Sequence, residues 1–373
     1  MSPGEPLPAG KLASARNSLL RVAFLPERIG MSLSPCASIR LHPYFDVLRQ
    51  RGQLAYRVLV PEEVERFRPD VIAWHRISVP DVEGLQQLTS VAKSLDARLL
   101  YDLDDNLLDM DDHTEGDRYR HVREAVARSL KVADEVWCST PALSARVREG
   151  APGAVHTLSN SLDPTVWRPA RAMDATPTTG PLRMLYMGTR THQVDFAFLS
   201  SVMERLQRTH AGAFSLTVIG IRHHDHADSP WLTVRSAPNY VGGSYPAFVH
   251  WLQNQSGFDL GVAPLVESAF NACKSHVKVL DYAALGLPSV ASAVPAYAHA
   301  LRDGHGCRLV PNSIDAWCQV LVDLHENRAL LRALAEGAGT LVGPAPFEAA
   351  VGERAKRLAA LATPAPERPV KAP

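Results

Sequence analysis

Three charged residues in the C-terminal half carry the clearest chemistry: Lys274, Lys278 and Asp281, spaced i, i+4, i+7. That spacing predicts one face of a helix over Lys274 to Leu285, with Val277, Leu280 and Ala284 as a separate apolar stripe for packing on a sheet. Two ammonium groups beside a carboxylate can grip a phosphorylated ligand that also carries hydroxyls. A solvated charged face would show the same spacing, so the residues alone leave both readings open. Gly286 and Pro288 punctuate the helix end, and Ser289 to Ser292 then reads as a short buried strand.

A second anion-binding pattern is Gly188-Thr189-Arg190-Thr191-His192, with Asp195 following, where a glycine turn leads from a strand into a helix. Such a junction offers free backbone N–H groups and a partial positive charge, and Arg190 could add bidentate hydrogen bonds to a phosphate. A tight turn capped by Thr191 or Asp195 explains the same residues without a ligand. Further upstream, His75 and Arg76 follow one strand, and Asp102, Asp104 and Asp105 end another. His75 could act as general base or acceptor ligand, or be a hydrogen-bonded structural histidine. Arg76 suits an anionic group or a surface ion pair. The clustered carboxylates would suit Mg²⁺ or Mn²⁺, but acceptor contact or loop structure is the preferred reading. His223-His224-Asp225-His226 with Asp228 is too tightly spaced to converge on a metal and reads as a polar loop that could border a nucleotide base. No G-x-S-x-G or P-loop is present, and no G-x-G-x-x-G follows the first strand.

The elements that must position these residues follow from alternation of short apolar runs with amphipathic stretches, the pattern of parallel sheets covered by helices. Strands are expected at Arg21 to Leu25, Leu54 to Val60, Val71 to Trp74, Arg98 to Leu103, Glu135 to Cys138 and Val155 to Leu158. The alternation restarts at Leu182 to Met187, Ser215 to Ile219, Leu260 to Ala263, Ser289 to Ser292 and Arg308 to Val310. Helices are expected between them, including Ile39 to Arg51 and Ile314 to Leu334. Between the two runs lies a stretch rich in proline and small polar residues, as in a linker. The expected organisation is a tail at 1–20, a doubly wound domain at 21–168, a linker at 169–181, a second doubly wound domain at 182–345, a helix at 346–362 and a tail at 363–373. Open sheets bind ligands beyond the carboxyl ends of their strands, so function is expected in those loops.

Composition narrows the partners. The 373 residues hold 39 Lys plus Arg against 39 Asp plus Glu, so there is no basic field of the sort that attracts nucleic acid. The five cysteines are scattered without a C-x-x-C pair, which fits a reducing cytoplasm and neither a disulfide framework nor a zinc site. The opening residues lack a signal-peptide core, and no run approaches the roughly 20 apolar residues of a membrane span. The expected location is the cytoplasm, with at most peripheral contact at the inner face of the membrane.

From about residue 20 to 362 the chain resembles the retaining, family-four-like GT-B glycosyltransferases that build bacterial surface polysaccharides. The resemblance rests on Gly188 to His192 with Asp195, Asn160-Ser161-Leu162-Asp163 before Trp167, Val241-Gly242 before Tyr245-Pro246, and above all Lys278 to Pro288. It implies an α/β fold of two Rossmann-like domains facing a cleft, the first binding an acceptor and the second a nucleoside diphosphate sugar. Arg190 and Lys278 would neutralise the donor diphosphate, and Asp281 would accept hydrogen bonds from the ribose. Gly188, Thr189, His192, Asn271, Lys274 and Tyr282 would complete the donor site; His75, Arg76, Asp102, Asp104 and Asp105 would face a saccharide, lipid-linked or small-molecule acceptor. No cofactor or metal is implied, and the last helix would cross back to the first domain. One position departs from the pattern: Cys273 stands where the family commonly has a glutamate eight residues before Asp281, and a thiol cannot replace a carboxylate as acceptor of sugar hydroxyls. Asn271 or Lys274 would take over that contact, or the sugar is held differently; Glu267 is out of register. A GT-B epimerase or phosphorylase, or a binding protein without turnover, would share the same cleft.

Overall fold

Runs such as Val71-Ile72-Ala73-Trp74-His75 are buried at every position, as expected of parallel strands covered on both faces. The computed structural model describes residues 19–110, 113, 116–168, 180–188, 190–220, 229–241 and 243–363. In chain order β1 (Leu20–Leu25) leads to a short hairpin, β2 (Arg28–Ile29) and β3 (Ser32–Leu33), followed by β4 (Leu54–Val58), β5 (Val71–His75), β6 (Arg98–Leu103), β7 (Glu135–Cys138) and β8 (Ala154–Thr157). All but the hairpin join one parallel sheet, ordered β4-β1-β5-β6-β7-β8. The second unit holds β9 (Leu182–Met187), β10 (Phe214–Ile219), β11 (Leu232–Arg235), β12 (Leu260–Ala263), β13 (Ser289–Ser292) and β14 (Cys307–Val310). They form a second parallel sheet, ordered β11-β10-β9-β12-β13-β14. Two doubly wound, Rossmann-like units are therefore present, as expected.

Each sheet reverses its winding direction once, between β1 and β5 in the first and between β9 and β12 in the second. Loops that leave a sheet on opposite faces part at such a point and open a crevice for a ligand. His75 and Arg76 follow β5, Gly188 follows β9, and Val266 to Lys274 follow β12.

Each sheet has apolar side chains packed on both faces. Two segments from late in the chain join the first unit. On one face the final helix, Pro344–Ala362, inserts Phe347, Val351, Leu358 and Leu361 beside Phe24, Tyr44 and Phe45. On the other, Phe270 and Cys273 pack among residues that include Trp74, Tyr101 and Leu143. Phe347 stacks on Tyr44 at 5.1 Å, and the Arg354 guanidinium lies 3.8 Å from the centre of the same ring.

Several elements differ from the sequence expectation for identifiable reasons. The β2–β3 hairpin has two residues per strand, too short for a periodic signal. β11 is an edge strand with no fully buried residue, so it lacks the apolar run that marks its neighbours. The expected helix from Ile39 is two, Pro35–Arg40 and His42–Gln50, the first capped by Ser34 Oγ accepting from Ala37 N at 3.1 Å. The expected helix over Ile314 to Leu334 is also two, broken where the Asn327 side chain caps the second through Leu330 N. No helix among the described residues is long and apolar enough to cross a membrane.

One buried ion pair ties the first unit together. Arg40 meets Asp102 through two parallel hydrogen bonds, Nε to Oδ1 at 3.0 Å and Nη2 to Oδ2 at 2.8 Å, with both side chains fully buried. Removing one partner leaves the other charge uncompensated in a low-dielectric core. Asp102→Ala is expected to lower the unfolding free energy by about 3–5 kcal/mol, measured by urea denaturation; a loss under about 1 kcal/mol would mean that the pair does not hold the unit together.

Candidate functional site

The second unit gathers its polar side chains around the ends of β9 and β12. Gly220, with φ of +97°, lies so close to Gly188 that an added Cβ would fall 2.5 Å from the Gly188 carbonyl oxygen. Only glycine fits there, and it brings the ends of β9 and β10 together below the turn. Thr189 lies outside the described residues, as does the side chain of Arg190, whose backbone opens the 3₁₀ turn Arg190–His192 before the helix Gln193–Thr209. The His223 to Asp228 loop and Gly242 also lie outside the described residues.

His192 Nδ1 is 2.7 Å from Asp195 Oδ2, and Asp195 Oδ1 accepts from Val266 N at 2.7 Å and from the Asn271 side-chain amide at 3.4 Å. Asp195 is buried, so this carboxylate locks the turn after β9 to the loop after β12. Burial and the neighbouring Lys278 cation together pull the His192 imidazole down to about 4. At neutral pH His192 is uncharged, and with Nδ1–H directed to Asp195 its Nε2 remains an acceptor.

Lys278 and Asp281 lie on the helix Val277–Ala284. Lys278 is buried; its Nζ has no hydrogen-bond partner among the described residues and rests 4.8 Å from the centre of the Tyr186 ring. Burial lowers its ammonium to about 8. Asp281 Oδ1 is likewise buried without a hydrogen bond, and burial raises the carboxyl to about 8 against the opposing pull of Lys278. Tyr282, expected in the donor pocket, is instead a core residue. Its hydroxyl donates to Val262 O at 2.9 Å and accepts from Met187 N at 3.1 Å, while its ring covers Gly261, where a Cβ would fall 2.3 Å away.

Lys274 requires a correction. It does not share the helical face of Lys278 and Asp281, because the helix starts at Val277 and Lys274 is extended, with φ −66° and ψ 149°. Its ammonium reaches instead into the first unit, 2.9 Å from Asp105 Oδ1, and sits 4.4 Å from the centre of the Phe270 ring. The whole loop is pinned there: Thr140 Oγ1 donates to Cys273 O at 2.9 Å, Asn106 Nδ2 to Ala269 O at 3.3 Å and Asn160 Nδ2 to Ser275 Oγ at 2.9 Å. Cys273 is buried in the first unit's core, and burial raises its thiol to about 11.

The expected acceptor-side residues converge on one network. Arg76 has φ of +50°, rare for a residue with a side chain, and is held there by its N–H donating to Asp102 O at 2.9 Å and its carbonyl accepting from Tyr101 Oη at 3.0 Å. That backbone bend aims the guanidinium at Asp104 (2.8 Å), Asp105 (2.6 Å) and Glu27 (3.3 Å). Asp104 and Asp105 would be pushed up by burial, but Arg76 holds the first, and Lys274 with Arg76 holds the second, below the ordinary carboxylate range. Asp102 faces the other way, to Arg40. His75 is fully buried with neither ring nitrogen hydrogen-bonded among the described residues, its Nε2 3.8 Å from both Asp102 Oδ1 and Asp104 Oδ1; burial lowers it, so the ring is neutral. Among the described residues no group of three or more His, Cys, Asp or Glu is arranged to hold a metal ion.

Between the two sets lies a cavity of about 720 Å³, with Glu27, Arg28, Arg76 and Asp105 on the first unit's side and Thr191, His192, Gly220 and Lys274 on the other. Sequence reasoning missed Glu27 and Arg40. Arg40 stands on the apolar stripe of its helix region with Ala37, Leu41 and Tyr44, and an arginine in that register is the signal of a buried charge pair.

The sequence matches no family model and no curated protein. Solved structures match over nearly the whole chain. HepE of Anabaena, in complex with UDP and glucose, superposes with a TM-score of 0.62 at 11% identity, covering 91% of this chain and 100% of that one. The same protein with UDP-glucose gives 0.58 at 12% identity, over 91% and 98%. A glycosyltransferase from Rickettsia africae gives 0.57 at 9% identity, over 92% and 99%. The fold is GT-B. At these identities the likeness establishes architecture, and the chemistry has to come from this chain's own side chains.

The Lys274–Asp105 pair joins the two units, and its pH dependence has a definite sign. Asp105 is more acidic folded than unfolded, so its contribution is complete above the unfolded carboxyl value and is lost as pH falls through and below it. Lys274→Met is expected to cost about 1–3 kcal/mol at pH 7, and the difference from wild type should close as pH falls below about 4. Thermal unfolding of both proteins across that range checks it; a constant difference would refute the assignment.

Proposed function

We propose that the protein is a glycosyltransferase that moves a sugar from a nucleoside diphosphate sugar to an acceptor hydroxyl, the second unit taking the donor and the first the acceptor. The observation that carries this reading is Lys278, a buried ammonium without a hydrogen-bonding partner among the described residues, at the winding reversal of the second sheet. A desolvated cation is costly unless an anion completes it, and a diphosphate is the anion that GT-B neighbours support. HepE has been solved with UDP-glucose, so uridine diphosphate sugars head the candidates.

In the proposed reaction the bond between the anomeric carbon and the diphosphate oxygen breaks, and the acceptor oxygen forms a bond to the same carbon while its proton passes to the departing diphosphate. Negative charge grows on the departing diphosphate. Lys278, Arg190 and the backbone N–H groups after Gly188 would stabilise it, and Asp281 would accept from the ribose hydroxyls. His192, uncharged and tethered to Asp195, offers Nε2 to a donor hydroxyl, with Asn271 alongside. We further propose that the reaction retains anomeric configuration, as the sequence resemblance implies, and that it needs no metal, since Asp102, Asp104 and Asp105 are each paired with arginine or lysine. Synthesis of a polysaccharide at the inner face of the cytoplasmic membrane is the setting that fits this chemistry.

A thermal-shift screen of nucleoside diphosphate sugars tests the reading, because a ligand bound only by the folded state must raise its apparent stability. A shift is expected for at least one of them; none across uridine, guanosine, adenosine, cytidine and thymidine diphosphate sugars would overturn the proposal. Lys278→Ala should fold and lose roughly 10²–10³-fold in kcat. Because Lys278 loses its proton near pH 8 and the Asp281 carboxyl ionises over the same range, affinity for the nucleoside diphosphate should fall as pH rises through that value in wild type and fall less steeply in Lys278→Met. Equal profiles would remove Lys278 from the site.

A further inference from the structure

Three consecutive residues, Cys273, Lys274 and Ser275, are each held by a different loop of the first unit. Asp105, after β6, takes the Lys274 ammonium at 2.9 Å; Thr140, after β7, donates from Oγ1 to Cys273 O at 2.9 Å; Asn160, after β8, donates from Nδ2 to Ser275 Oγ at 2.9 Å. The three anchors are themselves fixed. Asp105 is paired with Arg76 as well, Thr140 Oγ1 accepts from Leu143 N at 3.2 Å and so caps the helix Pro141–Arg148, and Asn160 Oδ1 accepts from the buried Arg40. The carboxyl edge of the first sheet from β6 to β8 therefore acts as a clamp on the segment that follows β12.

What the clamp controls lies immediately after it. The helix Val277–Ala284 starts two residues beyond Ser275, and its N-cap, His276, makes no side-chain capping hydrogen bond. The body of this helix is anchored in the second unit, where Leu280 and Tyr282 are buried and the Tyr282 hydroxyl donates to Val262 O. Its first turn has no such anchor from a cap and is placed by the chain that enters it. Lys278 stands in that turn. Its ammonium has no hydrogen bond among the described residues to fix it, so it takes its position from the backbone. Misplacing a group that must meet a reacting ligand by about 1 Å can cost on the order of a hundredfold in rate.

We infer that Asp105, Thr140 and Asn160 are positioning residues for the donor: side chains of the first unit that set where Lys278 stands in the second. This rests on the glycosyl-transfer reading, which gives Lys278 the donor diphosphate as its partner. Asp105 and Lys274 also line the cavity between the units, so the cavity wall and the donor-side cation share one support.

The test is titration calorimetry on the full chain with UDP, GDP, ADP, CDP and TDP, continued with the one that wild type binds most tightly. Ser275→Ala removes one clamp contact at a half-buried position and leaves the bond between Arg40 and Asn160 in place. It should weaken the diphosphate about fivefold, the worth of one hydrogen bond, whereas Ser275→Thr keeps the hydroxyl and should stay within about twofold of wild type. The same substitution is then made in Lys278→Ala. A residue that acts through the Lys278 ammonium loses its effect once that ammonium is gone, so Ser275→Ala should cost under about 1.5-fold there, while a general loosening between the units would cost the same in both backgrounds. Equal losses in the two backgrounds overturn the inference, as do wild-type affinity in Ser275→Ala and an equal loss in Ser275→Thr. Thr140→Val against Thr140→Ser repeats the comparison if Ser275→Ala does not fold. Wild type that binds none of the five diphosphates overturns the glycosyl-transfer reading and this inference with it; binding that is indifferent to the clamp overturns this inference alone.

Discussion

The arrangement depends on the buried pair between Arg40 and Asp102. A guanidinium and a carboxylate without water are tolerable only when both are fully engaged, and here the engagement spreads outward. Arg40 Nη1 also donates to Asn160 Oδ1 at 2.9 Å, and Asn160 passes the contact to Ser275, two residues before the helix that carries Lys278 and Asp281. From the other side, the Asp102 carbonyl accepts the Arg76 N–H that holds Arg76 at positive φ. One ion pair in the first unit thus reaches the backbone bend at Arg76 and the approach to the helix Val277–Ala284.

A second constraint follows from where the loop after β12 goes. Phe270 and Cys273 belong to the first unit's core although their strand belongs to the second sheet. This explains why a cysteine can occupy the position at which the glycosyltransferases that the sequence resembles commonly carry a glutamate. The side chain lies in the apolar core of the first unit, where a carboxylate would meet a large desolvation penalty. The neighbouring Lys274 faces Asp105 for the same reason, and the two units meet through buried apolar contacts as well as through charge.

The fold was legible because its strands are buried on both faces and leave continuous apolar runs, so the two doubly wound units could be read before any contact was known. What periodicity missed were pieces without a buried run: the two-residue strands of the hairpin and the exposed edge strand Leu232–Arg235. The site was legible in part. Lys278 and Asp281 share a helix as their spacing required, whereas Lys274, assigned to the same face by the same arithmetic, lies before the first turn. Tyr282 was placed in the pocket by its neighbours in sequence and proves to bridge β9 and β12.

By itself, then, the order of apolar and polar residues determined two sheets, their helices and the loops in which chemistry must sit, since burial of hydrocarbon responds to periodicity along a single segment. Only the tertiary structure decided which charge faces which. The pairing of Arg40 with Asp102 spans 62 positions and that of Lys274 with Asp105 spans the two units, so no local pattern encodes either. Whether a buried ionisable group finds a hydrogen-bonding partner or, like Lys278 among the described residues, has none depends on what distant elements bring beside it, and that difference turns a charged helix into a candidate ligand site.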